Sequence, residues 1–332
     1  MKRRGMLPAI LVVLMSITTL AYADETPSPS PSDSPSVVAT TISPSPTPTP
    51  TPNAMPTLAA LVDRPVPSSA KPPLAFVKND RPKPYIDRCH TQQNLTASEV
   101  SCFYGNAKSS HVIVLFGDSH ALSWFPAIAV LAKAKNWGFY SLTMSSCWPA
   151  DIPAWNSTKN ILMTNCSIWR KNTLKQISSI HPEMTFVGGT RGFSTVDAKG
   201  NVLTGDVRTA VWEAGMTRTL KSLKASSKSV IYLGDTPSSS FDVPACLMAH
   251  KNSIASCSTP FAKAVSVSWL VEEKHVADTL GVTWVDPTPW ICTTNPCSPL
   301  SGNYIIYIDG AHLAATFSAT LERPLWAFLT HN

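Results

Sequence analysis

The run His111-Val-Ile-Val-Leu-Phe116 constrains this chain more than any other segment. Val112 to Phe116 leave no polar face, and three of the five are β-branched, which suits a strand buried on both sides. Such a strand needs cover above and below, so the rest of the chain must supply helices for two faces. It does. After Gly117-Asp-Ser-His120 a helical stretch is expected to about residue 136. Further strands are expected over 139–144, 184–187, 229–233 and 282–285. Helices are expected over 166–179, 206–224 and 261–280, with a last one after His312. Strands separated by helix-length segments imply an α/β fold with a mostly parallel sheet in three layers. Ligands of such sheets sit beyond the carboxyl ends of the strands. The segments to search are therefore Gly117-Asp-Ser-His120, 143–147, 188–193 and Gly234-Asp235. Residues 238–259 lack periodicity and are expected to form a disulfide-tied loop.

The N-terminus reads differently. Met1-Lys-Arg-Arg4 precedes an apolar stretch from Met6 to about Leu20 and then Ala21-Tyr-Ala23, the pattern of an export signal cleaved near Ala23. Residues 24–56, dominated by Pro, Ser and Thr, hold too few large apolar side chains for a core and are expected to be a disordered linker. A short extension, 57–88, then leads to the main domain, 89–332. An exported protein folds in an oxidising compartment, so the eight cysteines between Cys89 and Cys297 are expected to be disulfides. Zinc fits poorly, because no Cys-x-x-Cys occurs. Neighbour pairing closes the shortest loops: Cys89 with Cys102, Cys147 with Cys166, Cys246 with Cys257, and Cys292 with Cys297. The net charge of +6 includes no Lys/Arg cluster interleaved with aromatics, so no nucleic-acid partner is expected.

Ser119 stands where a buried strand meets a helix. There a nucleophile gains exposure on a tight turn and backbone N–H groups near a developing oxyanion. Asp118 or Ser119 could equally be a helix cap. At the far end, Tyr304-Ile-Ile-Tyr-Ile-Asp-Gly-Ala-His-Leu313 puts Asp309 three residues before His312. On a turn this spacing lets the carboxylate reach the imidazole of its own segment, fixing its tautomer and stabilising its cation.

Four blocks together resemble the SGNH (GDSL-like) hydrolases, and within them the SGNH domains that accompany membrane acyltransferase-3 proteins in bacterial polysaccharide O-acylation. They are Gly117-Asp-Ser-His-Ala121, Ser145-Ser-Cys-Trp-Pro149, the pair Cys292 and Cys297, and Tyr307-Ile-Asp-Gly-Ala-His-Leu313. The resemblance implies a flavodoxin-like three-layer domain with Ser119 as nucleophile, His312 as general base and then acid, and Asp309 as its orienting carboxylate. It also implies an exported O-acyltransferase or esterase acting on a cell-envelope polysaccharide or glycan. Such an enzyme needs no metal or organic cofactor. A membrane acyltransferase-3 protein would be the acyl-donor partner if the reaction is transfer.

The chain departs from the family in its oxyanion hole. Typical members use the serine N–H, a glycine N–H after the second strand and an asparagine side chain after the third. No Gly-x-Asn-Asp occurs here; the third strand is followed by Gly188-Gly-Thr-Arg-Gly-Phe193. The N–H groups of Ser119 and Ser146, with Gly189 or Arg191, are the available substitutes. Arg191 could alternatively hold an acidic substrate group or pair with a surface carboxylate. His120 is expected to line the pocket or cap the helix, and Asp235, ending a strand, to face the cleft or, more in keeping with Thr236-Pro237 after it, to serve a turn or cap. Trp124, Trp148 and Trp155 suit core packing or stacking on sugar rings. The other histidines, His90 among them, have no partner at suggestive spacing. An inactive SGNH-fold module that only binds glycan is the alternative that the missing asparagine motivates.

Overall fold

Seven strands form one sheet in the computed structural model, which describes residues 58–99, 101–156 and 159–331. They are β1 (His90–Thr91), β2 (Phe103–Gly105), β3 (Val112–Gly117), β4 (Gly138–Met144), β5 (Met184–Gly188), β6 (Ser229–Leu233) and β7 (Thr283–Val285). The spatial order is β7-β6-β5-β3-β4-β1, and β2 lies along the same edge of β4 as β1. Every pair is parallel except β2 with β4. This is the mostly parallel α/β sheet that the alternation of runs implies.

The central strand explains the layers. Side chains alternate across a strand, so Ile113 and Leu115 enter one core while Val114 and Phe116 enter the other. The first core is closed by α1 (Ser119–Leu122), α2 (Phe125–Lys135) and the C-terminal helices Ala315–Thr320 and Glu322–His331. The second is closed by α3 (Thr164–Ile180) and α4 (Gly205–Ser226), whose Trp169, Ile177, Trp212, Leu220 and Leu223 are buried. Fully burying one such aliphatic side chain is worth about 1.5–3 kcal/mol.

Three expected helices are broken, each for a local reason. The stretch expected to about residue 136 splits at Ser123-Trp124, because Pro126 lacks an N–H and its ring crowds the carbonyl four residues back. The 261–280 stretch splits into Phe261–Ala264 and Val267–Leu280. There Ser238 N–H bonds the Ala264 carbonyl at 3.0 Å and takes the place of the next helical turn. Pro324 sits just inside the last helix and separates it from Ala315–Thr320 in the same way.

The 238–259 segment is more ordered than its sequence suggests. It holds the helix Val243–Ala249, started by the Asp242 side chain, which accepts the Ala245 N–H at 2.8 Å. All four cysteine pairs are neighbours, as expected.

Within 58–88, Ala70 and Val77 are buried in the core that covers α2, and Ala59–Ala60 pairs with Thr294–Asn295. The export signal over 1–23 and the linker over 24–56 lie outside the described residues. Among the described residues no helix is long and apolar enough to cross a membrane.

Candidate active site

Ser119 opens α1 directly beyond the carboxyl end of β3. The turn into it needs Gly117. Its φ of +146° is one that L side chains rarely adopt, and a Cβ there would collide with the Gly188 carbonyl. Asp118 is the N-cap: its Oδ1 accepts the His120 N–H at 2.8 Å and the Ala121 N–H at 3.4 Å. Its Oδ2 accepts the Thr190 N–H at 2.9 Å, tying the loop after β5 to the turn that carries Ser119. Burial pushes the Asp118 carboxyl above its ordinary 3.8, against the pull of the His120 charge and these N–H groups.

The C-terminal turn meets Ser119 from the other side. Asp309 Oδ1 accepts the N–H groups of Ala311 and His312, both at 2.8 Å, and folds the turn back on itself. Its Oδ2 lies 2.8 Å from His312 Nδ1, and His312 Nε2 lies 2.9 Å from Ser119 Oγ. The turn is clamped from outside. Ser239 N–H bonds the Gly310 carbonyl at 2.6 Å, Tyr307 Oη donates to the Pro237 carbonyl at 2.9 Å, and Leu313 N–H reaches Ser123 Oγ at 3.3 Å. Burial opposes the Asp309 charge, but the His312 hydrogen bond and charge and the two amide groups outweigh it, holding the carboxyl well below 3.8. Asp309 is therefore an anion at neutral pH. The arrangement can withdraw the Ser119 proton through His312 and stabilise the cation that results.

The amide N–H groups of Ser119, Ser146 and Gly189 donate to no acceptor among the described residues. Ser146, beyond β4, adopts a φ of 55°, which costs a non-glycine residue about 1–2 kcal/mol. The Cys147–Cys166 disulfide anchors its neighbour to α3. Gly189 lies so close to Pro149 that a Cβ would come within 2.6 Å of the proline ring. These three groups form a candidate oxyanion hole.

Arg191 does not contribute to it. Its N–H is bound to Asp235 Oδ2 at 2.9 Å, and its guanidinium lies over Trp212 and pairs with Glu272 at 2.5 Å. That partner is mostly buried, so the expected surface carboxylate is corrected as well. Thr190 offers no amide side chain, and its hydroxyl accepts the Gly192 N–H at 3.0 Å.

The remaining candidates divide. Trp124 and Trp148 are buried and unavailable for stacking, whereas Trp155 is partly exposed. His90 is buried with Nδ1 3.0 Å from Thr143 Oγ1. Burial, helped by the His312 charge, pushes it down to about 4, so it is neutral. Sequence reasoning missed one pairing, His120 Nδ1 with Asp235 Oδ1 at 2.6 Å. Asp235 ending a strand at the Ser119 end of the sheet was the available signal. Among the described residues no group of three or more His, Cys, Asp or Glu side chains is placed to hold a metal ion.

The family model for the SGNH domain (fused to AT3 domains) matches residues 88–327. The periplasmic domain of a lipopolysaccharide acetyltransferase from Salmonella ser. Paratyphi A shares the fold with a TM-score of 0.56 at 15% identity. That match covers 77% of this chain and 99% of that one. A GDSL-like lipase from Bacteroides thetaiotaomicron matches at TM-score 0.37 and 10% identity, over 69% of this chain and 93% of that one. An acetylxylan esterase from Geobacillus stearothermophilus matches at TM-score 0.37 and 12% identity, over 68% and 95%. No curated protein matches the chain.

Proposed function

Since the chain belongs to the family of SGNH domains found fused to AT3 domains, we propose that it is an exported serine-dependent O-acyltransferase or esterase acting on a cell-envelope polysaccharide or glycan. The observation that carries this reading is the unbroken contact from Asp309 through His312 to Ser119, at 2.8 and 2.9 Å. His312 Nε2 takes the Ser119 proton as Oγ attacks the ester carbonyl carbon. The tetrahedral oxyanion is met by the free N–H groups of Ser119, Ser146 and Gly189. His312 then gives its proton to the departing alcohol oxygen, leaving an acyl-serine. In the second half, His312 deprotonates water or a sugar hydroxyl, which attacks the acyl carbon and frees Ser119. Neither half requires a metal or an organic cofactor.

Acetyl is the group favoured, because the Salmonella domain of the same fold belongs to an acetyltransferase. If the reaction is transfer, a membrane acyltransferase-3 protein is the donor partner. Four disulfides among the described residues support an oxidising, extracytoplasmic location. The test is release from a chromogenic acetyl ester, with and without a glycan acceptor, by the native protein and by Ser119→Ala. Turnover abolished in Ser119→Ala supports the triad. Faster release together with newly acylated glycan identifies transfer, and release indifferent to acceptor identifies hydrolysis. Glycan binding with no turnover by the native protein makes the chain a binding module instead.

A further inference from the structure

The mechanism above leaves a second imidazole–carboxylate pair unused beside the nucleophile. His120 follows Ser119 in α1, and its ring meets the His312 ring edge to face, with centroids 5.0 Å apart. Its Nδ1 is 2.6 Å from Asp235 Oδ1. Asp235 cannot turn away, because it also accepts the Arg191 N–H at 2.9 Å and the Thr236 N–H at 2.8 Å. With Nδ1 fixed on Asp235, Nε2 faces the opposite side of the ring, and it has no hydrogen-bond partner among the described residues. The ring packs in one closely filled cleft with Gly188 and Gly189, and the Gly189 N–H donates to no acceptor among the described residues.

Burial opposes a charge on His120, but Asp235, assisted by Asp118 and Asp309, outweighs it and raises the group to about 9. Both ring nitrogens therefore carry hydrogen at neutral pH. A cationic donor that no acceptor among the described residues meets is one that an anion formed during reaction would complete.

We propose that His120, paired with Asp235, is a catalytic residue whose Nε2–H binds the tetrahedral oxyanion formed on Ser119, in place of the asparagine side chain that typical family members use. No proton is transferred in this step; the Nε2–H bond persists and the hydrogen bond to the oxyanion forms and breaks with the intermediate. The proposal rests on Ser119 being the nucleophile.

Steady-state kinetics of the full chain with a neutral chromogenic acetyl ester test it. His120→Ala is expected to lower kcat roughly 100- to 1,000-fold while KM stays within about threefold, as loss of one oxyanion donor does. His120→Gln, which restores a neutral N–H donor, is expected to recover about tenfold of that loss. Should His120→Ala fail to fold, Asp235→Asn carries the test through a kcat loss of about 10- to 100-fold at unchanged KM. A kcat unchanged by His120→Ala overturns the proposal, as does a change in KM alone. Equal losses in the Ala and Gln variants with a lowered unfolding midpoint overturn it too, because they mark a structural role. Ser119→Ala separates the two readings. If it leaves turnover intact, the triad fails; if it abolishes turnover while His120→Ala does nothing, only the present proposal fails.

Discussion

Two imidazole–carboxylate pairs flank Ser119, and they differ in how they are assembled and how much water reaches them. The His312 and Asp309 side chains are 27% and 39% exposed, and both come from one tight turn. The His120 and Asp235 side chains are 11% and 17% exposed and are brought together from α1, just beyond β3, and from the turn after β6. In the open pair the second ring nitrogen touches Ser119 Oγ; in the sealed pair it touches nothing among the described residues. A group that gains and loses a proton in every turnover needs a partner to exchange it with and a site open to substrate. A group that keeps its proton and only donates a hydrogen bond to the oxyanion gains from lower exposure to water, where the field of its carboxylate is less screened. On the proposed mechanism the same two residue types serve as a proton carrier in one place and a fixed charge in the other.

The sharpest way to break this division is to remove each imidazole in turn. His312→Ala is expected to lower kcat on the acetyl ester by roughly 10⁴- to 10⁶-fold, well beyond the loss from His120→Ala. Equal losses, or a larger loss from His120→Ala, would reverse the two roles. Next in size is Asp309→Asn, which leaves the turn's length intact but removes the acceptor that fixes the His312 tautomer. The expected loss is on the order of 10⁴-fold in kcat. Asp235→Asn should cost less, about 10- to 100-fold, because it weakens a charge without touching the proton path. A loss as great as that of Asp309→Asn would place Asp235 in the relay.

The smallest effect is one of stability and concerns the sealed pair alone. The folded-state pKa of His120, about 9, lies above its ordinary 6.5. Its pairing therefore stabilises the fold fully below pH 6.5, and that contribution is lost as pH rises through about 9. Thermal unfolding from pH 6 to 10 should show a midpoint that falls across this window in the native protein and less steeply in His120→Gln. The lowered pKa of Asp309 acts in the other direction: its contribution is present above 3.8 and lost in acid. Matching midpoint curves for the native protein and His120→Gln would contradict the pairing.

The two pairs also mark how far the sequence could be read. The central strand was legible because burial on both faces leaves only apolar residues, and the open pair because Asp309 and His312 are three residues apart on one turn. The sealed pair was not legible. His120 and Asp235 are separated by 115 residues, and their contact depends on β5 lying between β3 and β6. The same applies to Arg191 and its partner Glu272, 81 residues away. Strands β1 and β2, of two and three residues, are too short to carry a periodic signal. Pro126 was visible, but apolar spacing continued through it, so the break after α1 emerged only in the fold. Nothing in the spacing of residues 188–193 told which N–H groups remain free, because that depends on what Asp118 and Asp235 accept.

The most direct test of the proposed chemistry is to trap the acyl-enzyme. The native protein is mixed with an acetyl ester, quenched in acid within the first turnovers, digested, and its peptides weighed by mass spectrometry. One acetyl group on the peptide that carries Ser119, absent in Ser119→Ala, is the expected result. An acetyl ester turned over with no adduct on Ser119, or with the adduct on another residue, would contradict the assignment of Ser119 as nucleophile.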